Sequence, residues 1–363
     1  MPLQFSNRLR RLRAELRRAG ASALLVSHPP NIFYLTGFTG DNAMLLVRSG
    51  RPILFTDPRF DTQAGEECRA SRARVVVTRK PLPQAAGEHL AHLPRRAITL
   101  FEEDKLSVAQ LRTARTPARC GCRWRPARGI VEALREVKDA EELSRLREAA
   151  RLGSRVMEHA IKTARAGMAE YDLAAEIEFQ MRKQGAEGPS FETIVASGAR
   201  AALPHGRASS KRLKEKDLVV LDLGVILRGY CSDLTRTVHV GRASPEVRDW
   251  YGAVLEAQTA ARKAVRAGVA ASEVDEAVRS VLRTANLERY FIHSTGHGLG
   301  IEVHEPPSLR LNQKTPLKAG SVVTIEPGIY LPGRGGIRIE DDVLVLEGGS
   351  ETLTSARREL IEV

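Results

Sequence analysis

Four carboxylates stand inside runs of sequence that otherwise read as buried strand. Asp222 and Asp233 interrupt "VVLDLGVILRGYCSDLTRTVHV" (219–240), Glu326 lies in "SVVTIEPGIY" (321–330) and Glu340 in "GGIRIEDDVLV" (335–345). A bare carboxylate in such surroundings is costly unless something compensates its charge. The segment 219–240 folds back at a turn signal, Leu227–Gly229, which sets Asp222 opposite Asp233 with Cβ atoms ~5 Å apart. A hairpin centred on Gly333 does the same for Glu326 and Glu340. Like charges that close force one group neutral unless a cation lies between them. A single acid of this kind would read as a solvated charge on a strand face; four placed by one hairpin logic read as a site.

Histidines surround this pattern. "HSTGHGLGIEVHEPP" (293–307) carries His293, His297 and His304 in a glycine-rich run, and His205 sits in "LPHGRAS" ahead of the first hairpin. Imidazoles there suit proton transfer or the stabilisation of a developing oxyanion. Four carboxylates with one histidine make an oxygen-rich donor set, which suits Mn²⁺ or a similar divalent ion better than a thiolate-bound structural zinc. So many negative charges exceed what one ion balances. Two ions ~3.5 Å apart match them and provide a hydroxide nucleophile and a polarised carbonyl. The residues alone therefore predict a two-metal hydrolase.

The elements that must hold these groups divide in two. A chain of 363 residues is long for one core. "SALLVS" (22–27), "AMLLVRS" (43–49), "PILFTD" (52–57), "RVVVTR" (74–79) and "AITLFEE" (97–103) read as strands. Helices are expected at "RLRRLRAELRRAG", "PQAAGEHLAHL" and "SVAQLRTA", which makes residues 1–128 an α/β domain. "CGCRWRPARG" (120–129) reads as a linker, and the boundary falls near 125–135. In the second domain, 129–363, a long helix starts at the N-cap Asp139 with Glu142 three residues on. Further helices cover about 170–184, 245–267 and 272–287, with strand pairs between and after them.

Composition narrows the class. With 42% hydrophobic and 28% charged residues the chain is an ordinary globular protein. No apolar run approaches the ~20 residues of a membrane span. The start, "MPLQFSNRLRRLRAEL", shows no apolar signal region, so the expected compartment is the cytoplasm. The net charge of +12 raises nucleic-acid binding, but the basic residues are scattered among acidic ones, so no nucleic-acid partner is expected. Four cysteines are present, Cys68, Cys120, Cys122 and Cys231, and the C-x-C at 120–122 has no partner pair at zinc-site spacing; free thiols are expected.

Asp222, Asp233, His297, Glu326 and Glu340 resemble, in order and spacing, the five metal ligands of the "pita-bread" metallopeptidases, a superfamily that includes methionine aminopeptidase, aminopeptidase P and prolidase. "HSTGHGLGIEVHEPP", "GYCSDLTRT" and "IEPGIY" resemble its proline-directed branch across the C-terminal ~230 residues. "NIFYLTGFTG" and "TDPRFDTQA" are similar to that branch's creatinase-like N-terminal domain. The resemblance implies an α+β pita-bread catalytic domain with internal pseudo-symmetry. It implies that Asp222 chelates one ion, that His297 ligates the other, that Asp233 and Glu340 bridge both, and that Glu326 is both ligand and general base. His304 and His205 would act on the substrate carbonyl and the intermediate, His293 would line the proline subsite, and Arg338 would belong to the hydrogen-bond network. The implied reaction is hydrolysis of an Xaa-Pro bond by a hydroxide bridging two ions, Mn²⁺ first and Co²⁺ or Zn²⁺ as alternatives. A homodimer is implied as well.

Within that branch the expectation leans to an aminopeptidase P-like enzyme, with Xaa-Pro dipeptidase as the alternative. A positive group capturing the dipeptide carboxylate would separate the two, and the sequence does not locate one. Methionine aminopeptidase fits less well because of the α/β domain and "HEPP". A metal-free member acting as a binding module conflicts with the intact ligand set.

Overall fold

The computed structural model describes residues 4–94, 96–117 and 122–363, so Cys120 lies outside the described residues. The chain divides into two compact units, Met1–Arg135 and Glu136–Val363.

The first unit is one six-stranded mixed sheet flanked by helices. Its strands are β1 (Ala23–Val26), β2 (Ala43–Arg48), β3 (Ile53–Thr56), β4 (Arg74–Val77), β5 (Ile98–Glu102) and β6 (Arg123–Ala127), in the order β4-β3-β2-β1-β5-β6. β1 is buried along its whole length, as a central strand must be. The helices are α1 (Phe5–Arg18), α2 (Pro29–Thr36), α3 (Asp61–Glu67), α4 (Leu82–Leu90), α5 (Val108–Arg115) and α6 (Glu132–Arg135). On α1, Leu9, Leu12 and Leu16 form the expected buried stripe. One expectation fails: the stretch read as a linker contains β6, which pairs parallel to β5. It is a half-exposed edge strand, where its arginines reach solvent and Pro126 is tolerated.

The second unit repeats one motif. Helices α7 (Ala140–Thr163) and α8 (Glu170–Lys183) precede β8 (Ile194–Ser197), β9 (Leu218–Leu223) and β12 (Leu234–His239). Helices α9 (Pro245–Ala264) and α10 (Ala271–Thr284) precede β13 (Gly296–Gly298), β14 (Glu305–Leu309), β15 (Val322–Ile325) and β18 (Asp341–Leu346). Smaller strands complete it: β7 (Gly188–Pro189), β10 (Val225–Leu227), β11 (Tyr230–Cys231), β16 (Gly328–Leu331), β17 (Gly335–Arg338), β19 (Gly349–Thr352) and β20 (Ile361–Glu362). Each helix pair packs on its own sheet: Leu152, Val156, Leu173 and Ile177 against Leu221 and Leu234, and Val254, Ala257, Val274 and Val278 against Val323 and Val343. This is the α+β pita-bread arrangement with internal pseudo-symmetry. Helix α7 begins at the predicted capping box: the Asp139 carboxylate accepts from the backbone N–H groups of Glu141 and Glu142, and Glu142 accepts from the Asp139 N–H. No helix among the described residues is long and apolar enough to cross a membrane.

The two sheets meet where the Glu340 N–H donates to the Thr235 carbonyl at 3.1 Å. The acids gather at this junction.

Candidate active site

The first hairpin differs from the expected register. Thr235, not Asp233, pairs with Asp222, and Leu227 pairs with Tyr230. The turn is therefore the two residues Arg228 (φ 54°) and Gly229 (φ 77°). Both are left-handed, as a two-residue hairpin turn of the primed type requires. The pairing moves by two residues, which preserves alternation, so Asp222 and Asp233 still reach one cavity. The second hairpin has the expected register. Ile325 pairs with Asp341 and Gly328 with Arg338, which brackets Glu326 and Glu340 on either side of a turn at Gly333 (φ 75°).

All nine residues singled out from the sequence line one cavity of about 640 Å³: Asp222, Asp233, His297, Glu326, Glu340, His205, His293, His304 and Arg338. Asp233, His297 and Glu340 each offer one ligand atom, and these atoms lie within 4.8 Å of one another. His297 Nε2 is 3.4 Å from Glu326 Oε1 and 3.7 Å from Asp233 Oδ2. Asp222 is held through Oδ2 by Arg338 Nη2 at 2.6 Å, while its buried Oδ1 has no hydrogen-bond partner.

The electrostatics are those of a site built around a cation. Burial, and then repulsion from Glu340 and Asp222, pushes the Asp233 carboxyl well above its usual range. Burial, followed by Glu326 and Asp222, does the same to Glu340. Burial also raises Glu326. A divalent ion among these oxygens would relieve both the desolvation and the repulsion, and would give Asp222 Oδ1 a partner. The donors are oxygen and imidazole nitrogen, the set that suits hard and intermediate divalent ions. Cys231 is not among the lining residues; its thiol is buried and points to the Ile301 carbonyl at 3.4 Å. The residues present thus fit a divalent metal centre.

Burial holds the imidazoles of His293, His297 and His304 below their usual range, so they are neutral at neutral pH. The His297 and His304 rings meet edge to face with centroids 4.3 Å apart. His293 Nε2 lies 2.9 Å from the Tyr330 hydroxyl. His205 is exposed at the cavity wall.

Four supporting residues were not singled out from the sequence. Thr235 Oγ1 donates to Glu340 Oε2 at 2.6 Å and accepts from Arg338 Nε at 3.1 Å. Thr324 Oγ1 accepts from the His297 N–H at 3.1 Å and lies 3.3 Å from Glu326 Oε1. The Asp342 carboxylate accepts from the Asp233 N–H at 3.2 Å. The Tyr330 hydroxyl accepts from Arg338 Nη1 at 2.8 Å. Three of them share one signal: Thr235, Thr324 and Asp342 each stand two residues from Asp233, Glu326 or Glu340, the spacing that puts side chains on the same strand face.

Fold and site together define a metal-dependent peptidase with a separate α/β domain ahead of its catalytic domain. The chain belongs to metallopeptidase family M24, whose description matches residues 144–347, while the Creatinase/Prolidase N-terminal domain matches residues 8–137. It is 35% identical over 357 residues to the Xaa-Pro dipeptidase of Pyrococcus furiosus, covering 98% of this chain and 100% of that one. Its structure is similar to the Xaa-Pro dipeptidase from Bacillus anthracis, with a TM-score of 0.93 at 36% identity, covering 99% of this chain and 100% of that one. It is also similar to the X-Pro aminopeptidase from Thermotoga maritima, with a TM-score of 0.89 at 36% identity and coverage of 96% and 100%.

Proposed function

We propose that this protein is an Xaa-Pro dipeptidase dependent on two divalent ions, Mn²⁺ first among them. The observation that carries the metal chemistry is the convergence of five donor side chains in one cavity, with a buried Asp222 oxygen left unpartnered. The sequence leaned to an aminopeptidase P-like activity. The names of the relatives in Pyrococcus furiosus and Bacillus anthracis favour the dipeptidase instead, and the Thermotoga maritima structure keeps the aminopeptidase as the second reading.

Asp222, Asp233, His297, Glu326 and Glu340 would hold the ions. Bound there, the ions supply an activated water and polarise the scissile carbonyl. Glu326, its carboxyl raised by burial, is suited to take a proton at an Oε and pass it to the departing proline nitrogen. His304 and His205 line the wall from which an imidazole N–H can donate to the carbonyl oxygen, and His293 borders the ring subsite beside Tyr330. Arg338 orients rather than reacts: its bonds to Asp222, Thr235 and Tyr330 fix three parts of the wall. An Xaa-Pro bond is a tertiary amide without an N–H, so recognition must come from a shaped pocket instead of a backbone donor. Among the described residues Cys68, Cys122 and Cys231 are in no disulfide, which supports a reducing, cytoplasmic setting, and the homodimer implied by the resemblance is part of the same reading.

The test is a panel of Xaa-Pro dipeptides, Xaa-Pro-Xaa tripeptides and Met-initiated peptides, each with Mn²⁺, Co²⁺ and Zn²⁺. Preferential cleavage of the dipeptides is expected. Cleavage of the Met-initiated peptides alone overturns the reading.

A further inference from the structure

A dipeptide carries its carboxylate only one residue beyond the bond to be cut, about 3.5 Å of chain. The group that receives this charge must therefore lie in the wall of the same cavity. Among the described residues, two guanidiniums line it, Arg338 and Arg207. Arg338 is 3% exposed and already committed. Its Nη2 holds Asp222, its Nη1 donates to Tyr330 and to the Pro204 carbonyl, and its Nε donates to Thr235. Recruiting it for substrate would strip the metal centre of its support.

Arg207 is placed differently. Its side chain is 79% exposed, and its Nε lies 2.9 Å from Glu192 Oε2. Its two terminal nitrogens have no acceptor among the described residues. Glu192 lines the cavity beside it. The backbone beneath is fixed. Arg207 forms a bridge with Ile194, and its carbonyl accepts from Arg200 Nη2. Arg200 in turn is held through Nε, 3.0 Å from Glu170 Oε2, and Glu170 is fully buried. An exposed ion pair to Glu192 leaves the Nη pair open to form the fork that matches a carboxylate.

We propose that Arg207, paired with Glu192, receives the C-terminal carboxylate of the dipeptide substrate through its two Nη groups. This rests on the dipeptidase reading. It supplies the positive group that separates a dipeptidase from an aminopeptidase, and it makes Arg207 a specificity-determining residue: a substrate extended or amidated at that end brings no charge for it to meet.

The experiment compares an Xaa-Pro dipeptide with its C-terminal amide, in the wild type and in Arg207→Ala and Arg207→Lys. The wild type is expected to prefer the free carboxylate. In Arg207→Ala, kcat/KM for the dipeptide should fall at least about tenfold, mainly through KM, as expected when a two-pronged charge-assisted contact is removed at an exposed site. The amide should lose several-fold less, so the preference collapses. Arg207→Lys should recover part of the preference, because it keeps the charge without the fork. If the wild type prefers the dipeptide and Arg207→Ala keeps that preference, the assignment of Arg207 is wrong and the dipeptidase reading stands. If the wild type cleaves the amide as well as the acid, both fall together.

Discussion

Replacing Thr235 by valine removes one oxygen from the site and changes its volume little. The side chain is fully buried, and its hydroxyl is the link between Glu340, to which it donates at 2.6 Å, and Arg338, from which it accepts at 3.1 Å. A hydrogen bond to a charged group contributes about 1.5–3 kcal/mol, which corresponds to about 10- to 150-fold in a dissociation constant. Outer partners of metal ligands cost about 10–100-fold in affinity when removed, so the two routes agree. Arg338 keeps its bonds to Asp222, Tyr330 and Pro204, so the fold should survive with a loss of about 1–2 kcal/mol for one unsatisfied donor. The measurement is metal content and activity across buffered free Mn²⁺, with Thr235→Ser alongside. In Thr235→Val both curves should move to higher Mn²⁺ together and activity should largely return at saturation; Thr235→Ser should behave as the wild type. A folded Thr235→Val protein that binds and turns over at wild-type Mn²⁺ concentrations would refute the coupling of Thr235 to the centre.

Asp233→Asn should lose activity by more than about 100-fold, beyond the range of an outer-partner change, and should carry less metal; an active, metal-replete variant removes Asp233 from the ligand set. Adding Mn²⁺ to about 100 times its dissociation constant should stabilise the metal-depleted protein by about 2.7 kcal/mol, a rise in Tm of about 5–10 °C for a domain of this size; scanning fluorimetry without such a shift argues against a preformed centre. Burial pushes the Cys68 thiol up to about 11, so at pH 8 only about one part in a thousand is thiolate. Alkylation followed by peptide mapping should mark Cys122, which is half-buried, before Cys68, and native Cys68 modified as fast as Cys122 would contradict this.

The sequence displayed the acids, the histidines, the second hairpin and the start of α7 because each depends on a local rule. Gly333 advertises the second turn by being free to take a positive φ, and Asp139 with Glu142 advertises a helix start by satisfying two backbone donors. The first hairpin misled because its turn uses Arg228 at a positive φ, where Asn, Asp or Gly is the usual signal. The strand β6 was hidden by its position. An edge strand beside solvent carries charged residues and a proline, and so looks like a linker until its parallel pairing with β5 is seen. Helix α2 was illegible for the opposite reason: it is eight residues long and buried at Asn31, Ile32, Tyr34, Leu35 and Thr36, which leaves no polar face to mark a period.

The run Glu340-Asp341-Asp342 shows why alternation matters more than composition at this site. Three adjacent carboxylates are all buried, yet among the described residues only the middle one is in ion pairs. Burial alone would raise Asp341, but Arg236 at 2.8 Å and Arg358 at 2.5 Å hold it below its usual range. Glu340 and Asp342 point the other way and are pushed up, chiefly by burial. Arg236 separates the two environments: its Nη2 pairs with Asp341, while its Nη1 donates to the carbonyls of Thr235 and Glu340. On the face of Asp341 the carboxylate is thereby fully compensated by cations of the protein itself. On the other face, Asp222, Asp233, Glu326 and Glu340 meet Arg338 as the one buried guanidinium of the cavity wall, beside neutral imidazoles. The four carboxylates and Arg338 sum to three negative charges, so a single divalent ion would leave that face one charge negative, and a second would leave it one charge positive, which one hydroxide would offset. The same strand that secures the fold through Asp341 thus leaves, through Glu340, a deficit of positive charge that suits it to a two-ion centre.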